Sequence, residues 1–475
     1  MADATQVGSL AARGAVWSGL GSITLRLSGL AVGIILARIL TPEQFGVYAI
    51  ALTVQAILIT VADLGLSADL IRSEDPDRIA PTVASLGLFS GSVLTVAALL
   101  ASGGLAEVLG SPQAAPAIAV LSFTLVLGGA TVVPYAMLQR RFQQRELFLI
   151  AGVDFIVSTT ITLALVFAGF GVLGLAIGRV AAQVVSAVLQ FLLAKVKPRF
   201  AIDRSVIRPV LAFGVPIAAA NLLSWTVLNA DNIILARAAG VTALGYYVLA
   251  FNISSWPMSA LSQMVRSIAL PYFARAGRDS NALDTVTALA WALALPAGGV
   301  LAVLSAPVIG IVYGEKWLPA APVLAALGVY GSLRVVFDVF AGFLYARGRS
   351  RPVLWIQIVW LVVLVVAVYV AVSAWGIIGA AWAHVLVAVV VILPGYLLAL
   401  RGSGVAVAPL LRAALWPTAA ACPAIAAAYI LSLLLPSPLG ALLIGGSAAV
   451  AIYALCAGPW LCRIWRRTRT TAATG

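Results

Sequence analysis

Charge is what this chain has least of. Asp, Glu, Lys and Arg make up 9% of its 475 residues, whereas 63% are apolar and there is a single histidine. Soluble domains carry roughly a quarter charged residues, so a soluble class is excluded. The three cysteines, Cys422, Cys456 and Cys462, all fall in the last apolar stretches, which excludes a disulfide framework and a thiolate metal site. No GxxxxGK[ST], HExxH or GxSxG pattern is present, so neither nucleotide hydrolysis nor metalloprotease or esterase chemistry is expected. The connections are too short for a soluble catalytic domain. No catalytic residue, metal or cofactor is expected.

What is present is a succession of long apolar runs. Each can cross a hydrocarbon core of roughly 30 Å only as a helix that closes its own backbone hydrogen bonds. We read about 14 transmembrane helices, among them spans 15–38, 45–66, 284–313, 353–374 and 376–400, in an all-α integral membrane protein. Most of the 29 Lys and Arg sit at the termini or in even-numbered connections, as at 140, 141 and 145 or at 195, 197, 199, 204 and 208. Only Arg38, Arg237 and Lys316 lie on the opposite side. The asymmetry predicts that both termini are cytoplasmic. The net charge of +13 is this topological signal and not a nucleic-acid surface.

The chain also echoes itself. Ile35-Leu36-Ala37-Arg38, then Gly46, Tyr48 and Ala51, match Ile234-Leu235-Ala236-Arg237, then Gly245, Tyr247 and Ala250, at an offset of 199. Gly171, Gly174 and Ala176 match Gly376, Gly379 and Ala381 at an offset of 205. With an even helix count these are two parallel six-helix repeats plus an appended helix pair. The expected organisation is a cytoplasmic N-terminus (1–14), helices 1–6 (15–200), helices 7–12 (201–402), helices 13–14 (403–462) and a basic cytoplasmic tail (463–475).

Four arginines fall inside predicted spans: Arg26, Arg179, Arg266 and Arg334. An ionised side chain at mid-membrane costs at least about 2.5 kcal/mol, so it faces a bundle or water. Arg26 shares a helix face with Ser18, Ser22, Gly29, Gly33 and Ala37, too small and polar for lipid; it reads as a substrate contact or as a buried ion pair. For Arg266, snorkelling to the interface competes with a cavity role. Arg334 and Asp338, four apart, read first as an ion pair. Asp63, Asp154 and Asp338 are candidate ion-coupling acids, with pairing to Arg the commoner outcome. The seventh span carries Asn221, Ser224, Trp225, Asn229, Asp231 and Asn232 within half of its circumference. Amides and an indole there can hydrogen-bond and stack on sugar rings, the competing role being helix-helix bonding. Gly29 with Gly33 and Gly174 with Gly178 have close-packing spacing. His384 reads as a packing residue, and Trp17, Trp317, Trp375, Trp416, Trp460 and Trp465 as an interface belt.

Five stretches in order carry a family likeness. They are Ala37-Arg38-Ile39-Leu40-Thr41-Pro42-Glu43-Gln44-Phe45-Gly46-Val47-Tyr48 with Asp63-Leu64-Gly65-Leu66-Ser67; Leu138-Gln139-Arg140-Arg141-Phe142; Phe213-Gly214-Val215-Pro216 leading to Asp231; Pro271 and Phe273 before Asp279; and Gly314-Glu315-Lys316-Trp317-Leu318-Pro319-Ala320-Ala321-Pro322. Over roughly residues 10 to 400 the chain resembles the Wzx-type polysaccharide exporters and oligosaccharide flippases, within the multidrug/oligosaccharidyl-lipid/polysaccharide exporter superfamily, and among them the colanic acid and succinoglycan exporters. The resemblance implies two six-helix lobes around a central cavity, working by alternating access. It implies a polyprenyl-pyrophosphate-linked oligosaccharide as substrate, moved from the inner to the outer leaflet of a bacterial inner membrane, and membrane lipid as surroundings. Polymerase and glycosyltransferases are its implied partners, and a monomer is compatible with it. Related lipid II flippases place arginines on helices 1 and 8 in a cationic cavity; Arg26 and Arg266 occupy those helices here. The rival readings are a drug/cation antiporter of the same superfamily and a non-transporting partner of a polysaccharide synthesis complex.

Overall fold

The computed structural model describes residues 28–197, 199–276 and 280–473, which are helical without a strand among them. In order they form α1 (Ser28–Ile39), α2 (Pro42–Asp63), α3 (Leu66–Arg72), α4 (Pro76–Val108), α5 (Ala115–Arg140), α6 (Gln144–Phe167), α7 (Gly171–Ala194), α8 (Arg204–Ala238) and α9 (Val241–Ala276). There follow α10 (Ser280–Val303), α11 (Ser305–Val312), α12 (Ala321–Ala346), α13 (Ser350–Val387), α14 (Leu393–Arg401), α15 (Val407–Leu434), the single turn α16 (Pro438–Gly440) and α17 (Gly446–Ala473). The chain divides into two compact units between Gly245 and Tyr246.

Among the described residues, 11 helical stretches are long and apolar enough to cross a membrane. One of them, Ser350–Arg401, runs for 52 residues. At 1.5 Å per residue it would be more than twice as long as the hydrocarbon core is thick. It breaks at Gly376 (φ 59°, ψ −145°), a conformation that glycine adopts without steric cost. Gly171, its partner in the sequence echo, has φ 51° at the start of α7. The predicted boundary between spans 353–374 and 376–400 therefore falls on a real break. Two other spans are more broken than their apolar runs imply. The predicted span 45–66 ends in two successive left-handed residues, Leu64 (φ 47°) and Gly65 (φ 68°), before the short α3. The span 284–313 is interrupted at Leu304, which separates α10 from α11.

In the first unit the motif Thr41-Pro42-Glu43-Gln44 is a helix start. Thr41 Oγ1 accepts from the Gln44 N–H at 3.2 Å, Gln44 Oε1 accepts from the Thr41 N–H at 3.0 Å, and Pro42 occupies the first turn, where its missing N–H costs nothing. Removing such a cap costs about 1 kcal/mol. Packing then relies on small residues that let backbones touch. Gly87 on α4 and Gly129 on α5 each face the other's carbonyl oxygen, and Gly174 and Gly178 on α7 lie against Leu165 and Thr162 of α6. Gly29 and Gly33 differ from expectation: no heavy atom lies within 4 Å of where their Cβ would be, so they are not a helix-packing pair among the described residues.

The most consequential close approach involves the sequence echo itself. A Cβ on Gly46 would run into the carbonyl of Val241, and one on Gly245 into the carbonyl of Pro42. Pro42 and Val241 are themselves 199 residues apart, so the contact is reciprocal. α8 is fixed beside α2 by a second such pair, in which Gly65 and Gly214 leave room for each other's backbone. At the start of α8, Asp203 accepts from the hydroxyl and N–H of Ser205 at 2.6 and 2.8 Å, which holds its carboxyl below the usual carboxylate range.

The second unit packs around aromatic rings. His384 is buried, with Nδ1 2.9 Å from the Ala380 carbonyl and its ring edge-on to Tyr330, as expected of a packing residue. Trp317 corrects the interface-belt reading. Gly314 (φ 103°) turns the chain so that the 3₁₀ segment Glu315–Ala320 folds inward, and Trp317 is fully buried, edge-on to Tyr246 at 5.9 Å. Trp375 and Trp416 are exposed as expected; Trp17 lies outside the described residues.

Candidate functional site

Within the first unit α2, α3, α4, α5, α7 and α8 enclose a cavity of about 410 Å³. Its position follows from the break at Leu64-Gly65. Ending α2 there turns Asp63 and Ser67 toward each other, and Ser67 Oγ donates to Asp63 Oδ2 at 3.2 Å. Ser90 Oγ bonds the Ala62 carbonyl at 2.8 Å and Gln55 Nε2 reaches Thr124 Oγ1 at 2.8 Å, so α2 is tied to both α4 and α5. From α8, Asn221 and Trp225 line the opposite side, and from α7, Gln183 and Gln190. Gln190 is buried, and its amide oxygen has no hydrogen-bond partner among the described residues. A buried acceptor left unsatisfied costs about 1–3 kcal/mol.

The polar part of the lining is amide, hydroxyl and indole, with Asp63 its one carboxylate, set among Ile59, Leu66, Leu125 and Val132. It can exchange many weak hydrogen bonds and stack on a flat face. The volume is that of an ordinary ligand pocket. It holds three of the residues picked from the sequence, Asp63, Asn221 and Trp225. Asn229, Asp231 and Asn232 lie further along α8 and do not line it. Asn229 Nδ2 donates to the Trp225 carbonyl at 2.9 Å, Asn232 Nδ2 lies 3.4 Å from Asn229 Oδ1, and the Asn232 N–H bonds Asp231 Oδ1 at 2.9 Å. These amides are spent on their own helix. Gln183, Gln190, Thr60, Thr131 and Tyr135 were missed by sequence reading. The available signal was the spacing of Gln183 and Gln190, two turns apart on an otherwise apolar helix.

The charged candidates separate into three groups. Arg26 lies outside the described residues, and the Arg266 side chain, on α9, also lies outside what is described. Arg179 Nη1 lies 3.3 Å from Asp154 Oδ2, with Ser186 Oγ donating to Asp154 Oδ1 at 2.9 Å, so α6 and α7 share a three-membered polar cluster. This is the Arg pairing that intramembrane acids commonly find. Arg334 and Asp338 are both half-buried, one turn apart on α12. The Asp154 cluster permits a direct test of structural against coupling duty. Arg179→Met leaves the carboxylate with Ser186 alone and should lower stability by about 2 kcal/mol. Arg179→Met with Asp154→Leu should recover most of it, read as thermal unfolding of the full chain in detergent; transport retained by the double variant marks the pair as structural.

The family model described as "Polysaccharide biosynthesis protein" matches residues 35–322, more than half of the chain. The chain belongs to this family. Family membership agrees with the relatives. The lipopolysaccharide biosynthesis protein WzxC of Escherichia coli K12 is 28% identical over 71% of this chain and 70% of its own. The succinoglycan biosynthesis transport protein ExoT of Rhizobium meliloti 1021 is 25% identical over 68% of this chain and 66% of its own. The fold is that of a transporter. The lipid II flippase MurJ, in its inward closed conformation, superimposes with a TM-score of 0.77 at 13% identity, covering 94% of this chain and 99% of that one. The stretches that carry the family likeness are largely architectural: the Thr41-Pro42-Glu43-Gln44 cap, the Gly46 and Gly65 close approaches and the Gly314 turn.

Proposed function

We propose that the protein carries a polyprenyl-pyrophosphate-linked oligosaccharide from the inner to the outer leaflet of a bacterial plasma membrane, by alternating access, for the assembly of a cell-surface polysaccharide. The observation that carries this reading is the cavity walled by Gln183, Gln190, Asn221 and Trp225, three amides and an indole gathered from α7 and α8. A sugar presents many hydroxyl donors and an apolar ring face, which match amides and an indole. In this scheme Arg26, aided by Arg266, neutralises the pyrophosphate, and the polyprenyl tail stays in lipid.

The proposal includes fourteen crossings, both termini cytoplasmic, lobes over 15–200 and 201–402, helices 13–14 over 403–462, and polymerase and glycosyltransferases as neighbours in the pathway. The chain is a transporter-family protein and its own part in the pathway is translocation, not bond making. Leaflet translocation of a defined lipid-linked oligosaccharide in proteoliposomes tests it. Movement of a lipophilic cation but not of the lipid-linked glycan would point to the antiporter instead. Trp225→Ala with Asn221→Leu should cut translocation about tenfold while leaving the protein folded, since stacking and a neutral hydrogen bond together contribute on the order of 1.5 kcal/mol. Unchanged rates with that variant would remove the sugar from this cavity.

A further inference from the structure

A second cavity, of about 550 Å³, lies in the same unit between α4, α5 and the end of α7. Nothing in the proposed translocation uses it. Its rim is basic: Arg141, Lys195, Lys197 and Arg199 border it, against one carboxylate, Asp77. No ion pair joins Lys195, Lys197 or Arg199 to an acid among the described residues. Its floor is apolar, with Val133 and Met137 of α5 and Ala84 of α4, and Phe191 and Phe200 stand at its sides.

The rim is built, not draped. Lys195 ends α7 in the left-handed region (φ 52°), and Arg141 Nη1 donates to the Ala194 carbonyl at 2.8 Å, which fixes the turn. The connection to α8 is then anchored along α4. Ser85 Oγ donates to the Ala201 carbonyl at 2.9 Å, and the Asp203 N–H bonds Thr82 Oγ1 at 3.1 Å. Ala194 on one side of Lys197 and Arg199, and Ala201 and Asp203 on the other, are thereby fixed.

We infer that this cavity binds a phosphate-bearing lipid headgroup, with the phosphate among Lys195, Lys197 and Arg199 and the first methylenes of the tail over Val133 and Met137. Basic recesses between transmembrane helices hold anionic headgroups by this combination of charge at the rim and hydrocarbon below. A free phosphate would leave the apolar floor and the two phenyl rings unused. A zwitterionic lipid would bring its own cation to a rim with an excess of positive charge. The lipid is either a bulk anionic phospholipid or a polyprenyl carrier.

Native mass spectrometry of the full chain in detergent, titrated with phosphatidylglycerol, phosphatidylcholine and undecaprenyl pyrophosphate, tests this inference. The wild type should retain phosphatidylglycerol over phosphatidylcholine by about tenfold, and Lys197→Gln with Arg199→Gln should erase the preference, while Lys197→Arg with Arg199→Lys keeps it. Both positions are exposed, so the fold should survive both pairs of changes. Tighter retention of undecaprenyl pyrophosphate, lost in the same Gln variant, supports the site and identifies the carrier as the source. Equal retention of the two phospholipids by the wild type, an undiminished preference in the Gln variant, or displacement of phosphatidylglycerol by inorganic phosphate at equal concentration would each overturn it. Because binding is read without transport, failure here leaves the translocation reading untouched.

Discussion

Arg26→Ala is expected to lower translocation of a lipid-linked oligosaccharide by at least about a hundredfold while the protein still inserts and is recovered in normal yield. In the proposed reading this guanidinium belongs to an apolar run, at helical spacing from Ser18, Ser22, Gly29 and Gly33 in the sequence, where a lipid-facing charge would have nothing to offset its insertion cost. Its chemistry suits a pyrophosphate because it stays charged and offers paired N–H donors to two oxygens at once. Removing one member of a desolvated, hydrogen-bonded charge pair costs about 2–5 kcal/mol, and three of those correspond to the stated factor. Arg26→Lys should retain part of the rate, because the charge survives and the planar fork does not. Proteoliposome flipping normalised to reconstituted protein reads both, and full transport by Arg26→Ala would sink the assignment.

The largest expected loss of stability is at Gly46. Gly46→Val drives a side chain into the Val241 carbonyl, and a backbone oxygen cannot rotate away as a side chain can. Overpacking costs about 1–3 kcal/mol, and the upper end is expected where backbone must move. Gly245→Val should cost a similar amount through the Pro42 carbonyl. The double variant should cost less than the two single effects combined, because both changes push the same two helix starts apart. Gly104→Val is the control, with no atom within 4 Å of its Cβ position, and should stay within about 0.5 kcal/mol of wild type. Thermal unfolding in detergent ranks the set; equal melting of Gly46→Val and Gly104→Val would mean that the close approach does not hold in the folded protein.

What could be read from sequence was whatever leaves a one-dimensional trace. Apolar runs give helices, and glycine at Gly171 and Gly376 marks where a run must turn. The break at Leu64-Gly65 left only half a trace: Gly65 is a glycine, but Leu64 takes a left-handed conformation that its residue type gives no reason to expect. Trp317 looked like an interface anchor because it borders an apolar run, and its burial depends on a fold-back at Gly314 that only three dimensions reveal. The candidate site divides in the same way. Charges in hydrocarbon are costly and conspicuous, so Asp154 and Arg179 stood out as charged groups needing partners. Neutral amides cost little in any one helix, so Gln183 and Gln190 passed unnoticed until α5, α7 and α8 were brought around one cavity. On α8 the polar face was visible but not its division of labour: Asn221 and Trp225 open to the cavity, while Asn229 and Asn232 bond within their own helix.

The reciprocal approach of Gly46 and Gly245 also couples the two echoing stretches mechanically. The likeness of the two stretches is partial: the Thr41-Pro42 cap has no counterpart at Gly240-Val241. At this contact independence is lost. Each glycine protects the backbone of the other copy, as in an interface between two identical partners, where residue i meets j and j meets i. A larger residue at either position displaces the backbone at the other as well, so one substitution disturbs two helix starts at once.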